Sequence, residues 1–145
     1  MTISLPDLAA MTALGGRIAA RLAPGDVVAL TGGLGAGKTT LARAIIAAAG
    51  HAGEVPSPTF TVFETYPDCI PPIVHADFYR LDHPDELREL GIDEYREDGA
   101  LIAEWPENAG GFARETGLLA IRLEWDGNGR RAIVQPGPAW QGREP

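Results

Sequence analysis

The chain has one cysteine, Cys69, and one lysine, Lys38, in 145 residues. A lone cysteine excludes an intrachain disulfide and fits a reducing compartment. No apolar run reaches the roughly 18 residues of a membrane-spanning helix, and the N-terminus lacks the basic start and long apolar core of a signal peptide. The expected location is therefore cytoplasmic. His51, His75 and His83 show no metal-ligand spacing with Cys69 or with each other, so no ligand role is expected of them. Basic runs are missing too. Twenty acids against twelve bases give a formal net charge of -8, whereas nucleic-acid binding rests largely on phosphate neutralisation by Lys and Arg. Any link to RNA or DNA should run through a protein partner.

What is present is ordinary for a globular protein, at 45% hydrophobic and 22% charged residues. The length fits one domain, expected over residues 1–135 with an irregular tail over 136–145. Leu8, Met11, Leu14, Ile18 and Leu22 recur at helical spacing. Ser4 and Asp7 suggest a capping box before them, and Pro24-Gly25 ends the pattern. Val27–Leu30 reads as a buried strand, Thr31–Gly37 as a loop, and Lys38–Ala49 as a helix closed by Gly50. Strands are predicted over Phe60–Tyr66, Ile73–Asp77 and Ala100–Glu104, and a short helix from His83-Pro84 to Leu90, stopped by Gly91. Leu118–Trp125 and Arg130–Gln135 should form a hairpin around the Asp126-Gly127-Asn128-Gly129 turn.

Gly32-Gly33-Leu34-Gly35-Ala36-Gly37-Lys38-Thr39 satisfies G-x-x-x-x-G-K-[ST], the P-loop, between a predicted strand and a predicted helix. The glycines permit positive φ and leave amides open to phosphate oxygens, and the helix start adds its positive dipole end. The Lys38 ammonium would reach the β- and γ-phosphates, and the Thr39 hydroxyl would ligate Mg²⁺. Such a site also needs a carboxylate at a neighbouring strand end. Asp77 and Glu104 both qualify, and in a parallel sheet both would lie beside the loop. Two acids allow one on the metal and one orienting the attacking water; either could instead be a solvated or capping acid. Ser57-Pro58-Thr59 could be a γ-phosphate-sensing switch loop or a rigid connection. Trp105 could lie near the nucleotide or in the core, and Arg80 could meet a phosphate, a partner or a surface acid.

Taken in order, these residues resemble the TsaE (YjeE) family, small bacterial ATPases required for the threonylcarbamoyladenosine modification of tRNA. The resemblance starts at Met11-Thr12-Ala13-Leu14-Gly15 and Pro24–Leu30. It continues through Gly32–Thr40, Ser57-Pro58-Thr59-Phe60, His75–Leu81 and Glu89–Tyr95 to Glu104-Trp105-Pro106-Glu107. It implies an α/β fold: a three-layer α/β/α P-loop NTPase with a mixed, mostly parallel central sheet and a C-terminal antiparallel hairpin. It further implies that Thr39 and Glu104 ligate magnesium, and that Gly35, Ala36, Gly37, Lys38, Thr39 and Thr40 wrap the phosphates of ATP. Thr12 matches a position near the adenine, Asp77 the acid of hydrolysis, and Ser57 to Thr59 the switch-like loop. Arg130 resembles a basic residue that closes on the nucleotide. Gly33 departs from the family's usual Asp, which loosens the loop without removing its amides. The implied partner is the TsaD–TsaB pair, which would hold the tRNA, so that contact with tRNA is only indirect. The residues alone leave two other readings open, a small-molecule kinase and a non-hydrolysing nucleotide-gated adaptor. A GTP-specific switch is disfavoured, because its N-K-x-D signature needs a second lysine.

Overall fold

The computed structural model describes residues 1–58 and 61–145. Its strands are β1 (Thr2–Leu5), β2 (Val27–Thr31), β3 (Phe63–Tyr66), β4 (Ile73–Asp77), β5 (Ala100–Glu104), β6 (Leu118–Asp126) and β7 (Gly129–Pro136). Its helices are α1 (Leu8–Arg21), α2 (Lys38–Ala48), α3 (Glu86–Glu89) and α4 (Ile92–Arg96). The sheet runs β1-β7-β6-β2-β5-β4-β3. Strands β6, β2, β5 and β4 are mutually parallel. Antiparallel pairs close both edges: β3 on β4, and the β6–β7 hairpin with β1 beyond it. This is the mixed, mostly parallel α/β architecture expected.

Side-chain alternation explains the layers. In β2, Val28 and Leu30 face one core with Met11, Leu14 and Ile18 of α1 and Leu41 and Ile45 of α2. Val27 faces a second core with Leu101, Phe78, Ile92 and Phe112. Strands buried on both faces read as continuous apolar runs, as β2 and β5 do. Gly15 lets α1 lie close on α2, since a Cβ there would stand 2.5 Å from that of Ala44.

Several local expectations need correction. Ser4 is not part of a cap but lies in β1, an edge strand whose register is set by β7. Asp7 alone caps α1, its carboxylate accepting from the Ala10 amide at 2.9 Å. Leu8 is 68% exposed, so the buried stripe begins at Met11. The strand predicted from Phe60 starts at Phe63; Phe60 itself lies outside the described residues, and Val62 turns the chain at φ 70°. The helix expected from His83-Pro84 begins only at Glu86; it ends at its C-cap Leu90 as expected, where Gly91 (φ 68°) turns the chain into a separate short helix, α4, whose Ile92 is buried in the second core.

The segment after Pro136 holds a 3₁₀ turn, Pro138–Trp140. Trp140 is fully buried, and its indole donates to the Gly117 carbonyl at 2.9 Å. The Arg143 guanidinium forks onto both oxygens of buried Asp26, each at 2.8 Å. Trp140→Ala is expected to destabilise the fold by about 3–5 kcal/mol in urea unfolding; a loss below about 1 kcal/mol would mean that the indole is not packed in solution. No helix among the described residues is long and apolar enough to cross a membrane.

Candidate functional site

Between β2 and α2 the chain makes the turn that its glycines require. Gly32 (φ 142°) passes so close to β6 that a Cβ would stand 2.6 Å from the Leu123 carbonyl oxygen. Gly37 (φ 107°) is the N-cap of α2 and brings no side-chain cap. The first turn of this 11-residue helix therefore has no acceptor from its cap side chain, and its amides form the positive end of the helix dipole. Arg130, on β7, donates from Nη2 to the Gly35 carbonyl at 3.1 Å. Its guanidinium also lies 3.1 Å from the centroid of the exposed Trp125 ring.

Lys38 is 6% exposed. Its ammonium donates to the carbonyls of Gly32 (2.7 Å) and Gly33 (2.8 Å) and sits 4.6 Å from the Trp105 ring centroid. Burial pulls the Lys38 pKa below its ordinary value, opposed by the charges of Glu104, Asp77 and Glu107.

The two acids come together as their strand positions predict. Asp77 and Glu104 are register partners at the carboxyl ends of β4 and β5. Glu104 is 2% exposed. One of its oxygens accepts from the Thr39 hydroxyl at 2.7 Å, and the other lies 2.6 Å from His75 Nε2. Asp77 is also buried, with Oδ1 accepting from the Tyr79 amide at 3.0 Å. A cleft of about 340 Å³ is lined by Gly35, Gly37 and Lys38–Thr40 of the loop and helix start together with Asp77, Glu104, Tyr79 and Trp105 from the ends of β4 and β5. Trp105 therefore belongs to the site as well as to the edge of the core, held at φ 54° as the chain leaves β5.

A second cleft, of about 230 Å³, shares Gly35, Gly37 and Thr40 and is bounded by Met11, Asn128 and Arg130. Thr12 is exposed on α1, one residue beyond Met11 and outside that wall. The Ala36 amide donates within the loop, to the Gly33 carbonyl at 3.2 Å. Ser57 is exposed and lines neither cleft; Thr59 lies outside the described residues. Arg80 is exposed just past the Asp77 strand end.

Sequence reading missed His75, which is fully buried against Glu104. A search for metal-ligand spacing could not find it, because its partner is 29 residues away. The available signal was its place two residues before Asp77 on a strand, which puts both on one face.

A family model described as threonylcarbamoyl adenosine biosynthesis protein TsaE matches residues 5–133. The chain belongs to the TsaE family. Among curated relatives, the tRNA threonylcarbamoyladenosine biosynthesis protein TsaE of Mycobacterium bovis is 40% identical over 134 residues, covering 85% of this chain and 78% of the relative. TsaE of Streptomyces coelicolor is 44% identical over 100 residues, covering 67% and 68%. TsaE of Haemophilus influenzae is 44% identical over 94 residues, covering 64% of this chain; the chain spans 60% of that relative's length. The crystal structure of Bacillus subtilis YdiB superposes with a TM-score of 0.77 at 27% identity, covering 99% of this chain and 90% of that one.

Proposed function

We propose that this TsaE-family chain binds and hydrolyses ATP with Mg²⁺ as an accessory protein of tRNA threonylcarbamoyladenosine synthesis, acting on a TsaD–TsaB type complex. The observation that carries the nucleotide part is the 2.7 Å bond between Thr39 and buried Glu104 at the mouth of the glycine loop. It joins a hydroxyl and a carboxylate, both hard oxygen donors, at the start of α2. That is the donor chemistry magnesium takes, with phosphate and water oxygens completing its shell. Among the described residues, no group of three or more His, Cys, Asp or Glu could hold a metal, so phosphate would have to share in holding the ion.

Each residue then has a role. Loop amides and the start of α2 hold the phosphate oxygens. Lys38 leaves the Gly32 and Gly33 carbonyls for the β- and γ-phosphates. Thr39 and Glu104 would hold the magnesium, which when bound offsets phosphate charge during transfer. Asp77, the register partner of Glu104 in the same cleft, orients the attacking water. Hydrolysis breaks the terminal P–O bond and releases ADP and phosphate. With a net charge of -8, the chain leaves tRNA to its partners. This supports an indirect role in the modification.

The test is phosphate release from ATP with and without a TsaD–TsaB complex. Slow release alone, rising at least about tenfold with the complex, is expected. Phosphate transfer only to an added alcohol would point to a kinase, and no release under either condition would leave a nucleotide-gated adaptor. The sign of the pH dependence follows from Lys38. Phosphate favours its charged form, and burial has lowered its pKa. ATP affinity should therefore fall as pH rises through that lowered value, before the ordinary 10.5. Calorimetric titrations across the alkaline range would show the fall; an affinity flat up to 10.5 would contradict it.

A further inference from the structure

His75 is 0% exposed. Its Nε2 lies 2.6 Å from Glu104 Oε2, while its Nδ1 is buried and has no hydrogen-bond partner among the described residues. A carboxylate accepts only, so the ring proton belongs on Nε2. The unpaired Nδ1 is a cost that an apolar core side chain would not carry. A buried ring kept at that cost points to its one bond as the reason for its presence.

The register shows how the bond is made. His75 pairs with Ile102 and Asp77 with Glu104 across β4 and β5. His75 is therefore the diagonal neighbour of Glu104 on the same face, a separation that long side chains bridge. Glutamate is flexible, and this one is 2% exposed. Two donors hold its carboxylate, one on each oxygen: the His75 ring N–H and the Thr39 hydroxyl.

We propose that His75 is the positioning residue of Glu104: its Nε2–H pins one carboxylate oxygen so that the other is presented, beside the Thr39 hydroxyl, to a divalent cation. This rests on the magnesium–nucleotide reading above. His75 touches no phosphate or cation itself; it acts through Glu104 alone. Without it the carboxylate keeps one anchor and can turn away from the cation position, while the loop amides and Lys38 still grip phosphate. The loss should therefore fall on magnesium dependence and spare metal-free nucleotide binding.

The experiment measures AMP-PNP affinity by calorimetry, in EDTA and across a magnesium series, for the full chain and two variants. His75→Leu removes the donor at similar volume. His75→Gln places an amide N–H near the Nε2 position. In His75→Leu, the magnesium concentration that half-saturates the affinity gain should rise roughly 10–100-fold, the range typical when a ligand's supporting hydrogen bond is lost. Affinity in EDTA should stay unchanged, and His75→Gln should recover most of the loss. An unchanged magnesium midpoint in His75→Leu overturns the proposal, as does an equal loss in EDTA, which would mark a merely structural role. If the unsubstituted protein gains no affinity from magnesium, the underlying site reading fails, and this inference with it. Should His75→Leu not fold, ¹⁵N-resolved imidazole spectra of the unsubstituted protein decide. A proton on Nε2 is expected, and a proton on Nδ1 alone overturns the proposal.

Discussion

Lys38→Ala is expected to lower ATP affinity by about 100-fold or more and to remove hydrolysis, while the protein stays folded. Charge-assisted bonds from one ammonium to two phosphates are worth roughly 3–4 kcal/mol together, which is that factor or larger. Among the described residues that line the cleft, Lys38 is the only lysine or arginine, and Arg130 lines the neighbouring one. Folding should survive because the substitution has opposed effects. It leaves the Gly32 and Gly33 carbonyls without the ammonium, but it also removes a charge for which burial is the dominant influence on pKa. Calorimetric ATP titration and thermal unfolding of the same sample check both parts. Retained affinity, or loss of affinity only through unfolding, would show that Lys38 is not the phosphate grip.

Glu104→Gln should separate the two functions that Lys38→Ala removes together. The amide oxygen can still accept from His75, and the Thr39 hydroxyl can turn to accept from the amide nitrogen, so the buried network stays paired. The negative charge is gone. Phosphate release in the presence of the partner complex is expected to fall by about two to three orders of magnitude, the scale on which positioned charge contributes to phosphoryl transfer. Nucleotide affinity in EDTA should hold. Glu104→Ala is a poorer probe, because it leaves the His75 N–H buried and unpaired at a further cost of about 1–3 kcal/mol. If Glu104→Gln hydrolyses ATP normally and Asp77→Asn does not, the division of labour between the acids is reversed.

How far the sequence speaks depends on how far apart the interacting residues are. The glycine loop is legible because its chemistry lies within eight consecutive residues. Strands β4 and β5 are legible as apolar runs ending in acids, and a parallel sheet brings those ends together. Edge strand β1 is not, because four residues make no signal without their pairing to β7, from Thr2 with Ile133 to Leu5 with Arg130. The His75–Glu104 bond is likewise a product of register. Trp105 reads from sequence as either core or site, and the chain reversal after β5 makes it both. Only resemblance points to Arg130, because its contact with Gly35 depends on the β6–β7 hairpin reaching the loop. The second cleft, where α1 meets that hairpin, is tertiary in origin and had no local sequence signal.

The central claim is that the loop from Gly32 to Thr40 is the triphosphate cradle, with Glu104 bonded to Thr39 beside it. A crystal structure with AMP-PNP and magnesium tests it most directly. The account predicts phosphates against the loop amides and the start of α2, Lys38 Nζ turned from the Gly32 and Gly33 carbonyls onto phosphate, and one cation between Thr39 and Glu104. Lys38 still bound to its own loop, with the nucleotide lodged elsewhere, would contradict it.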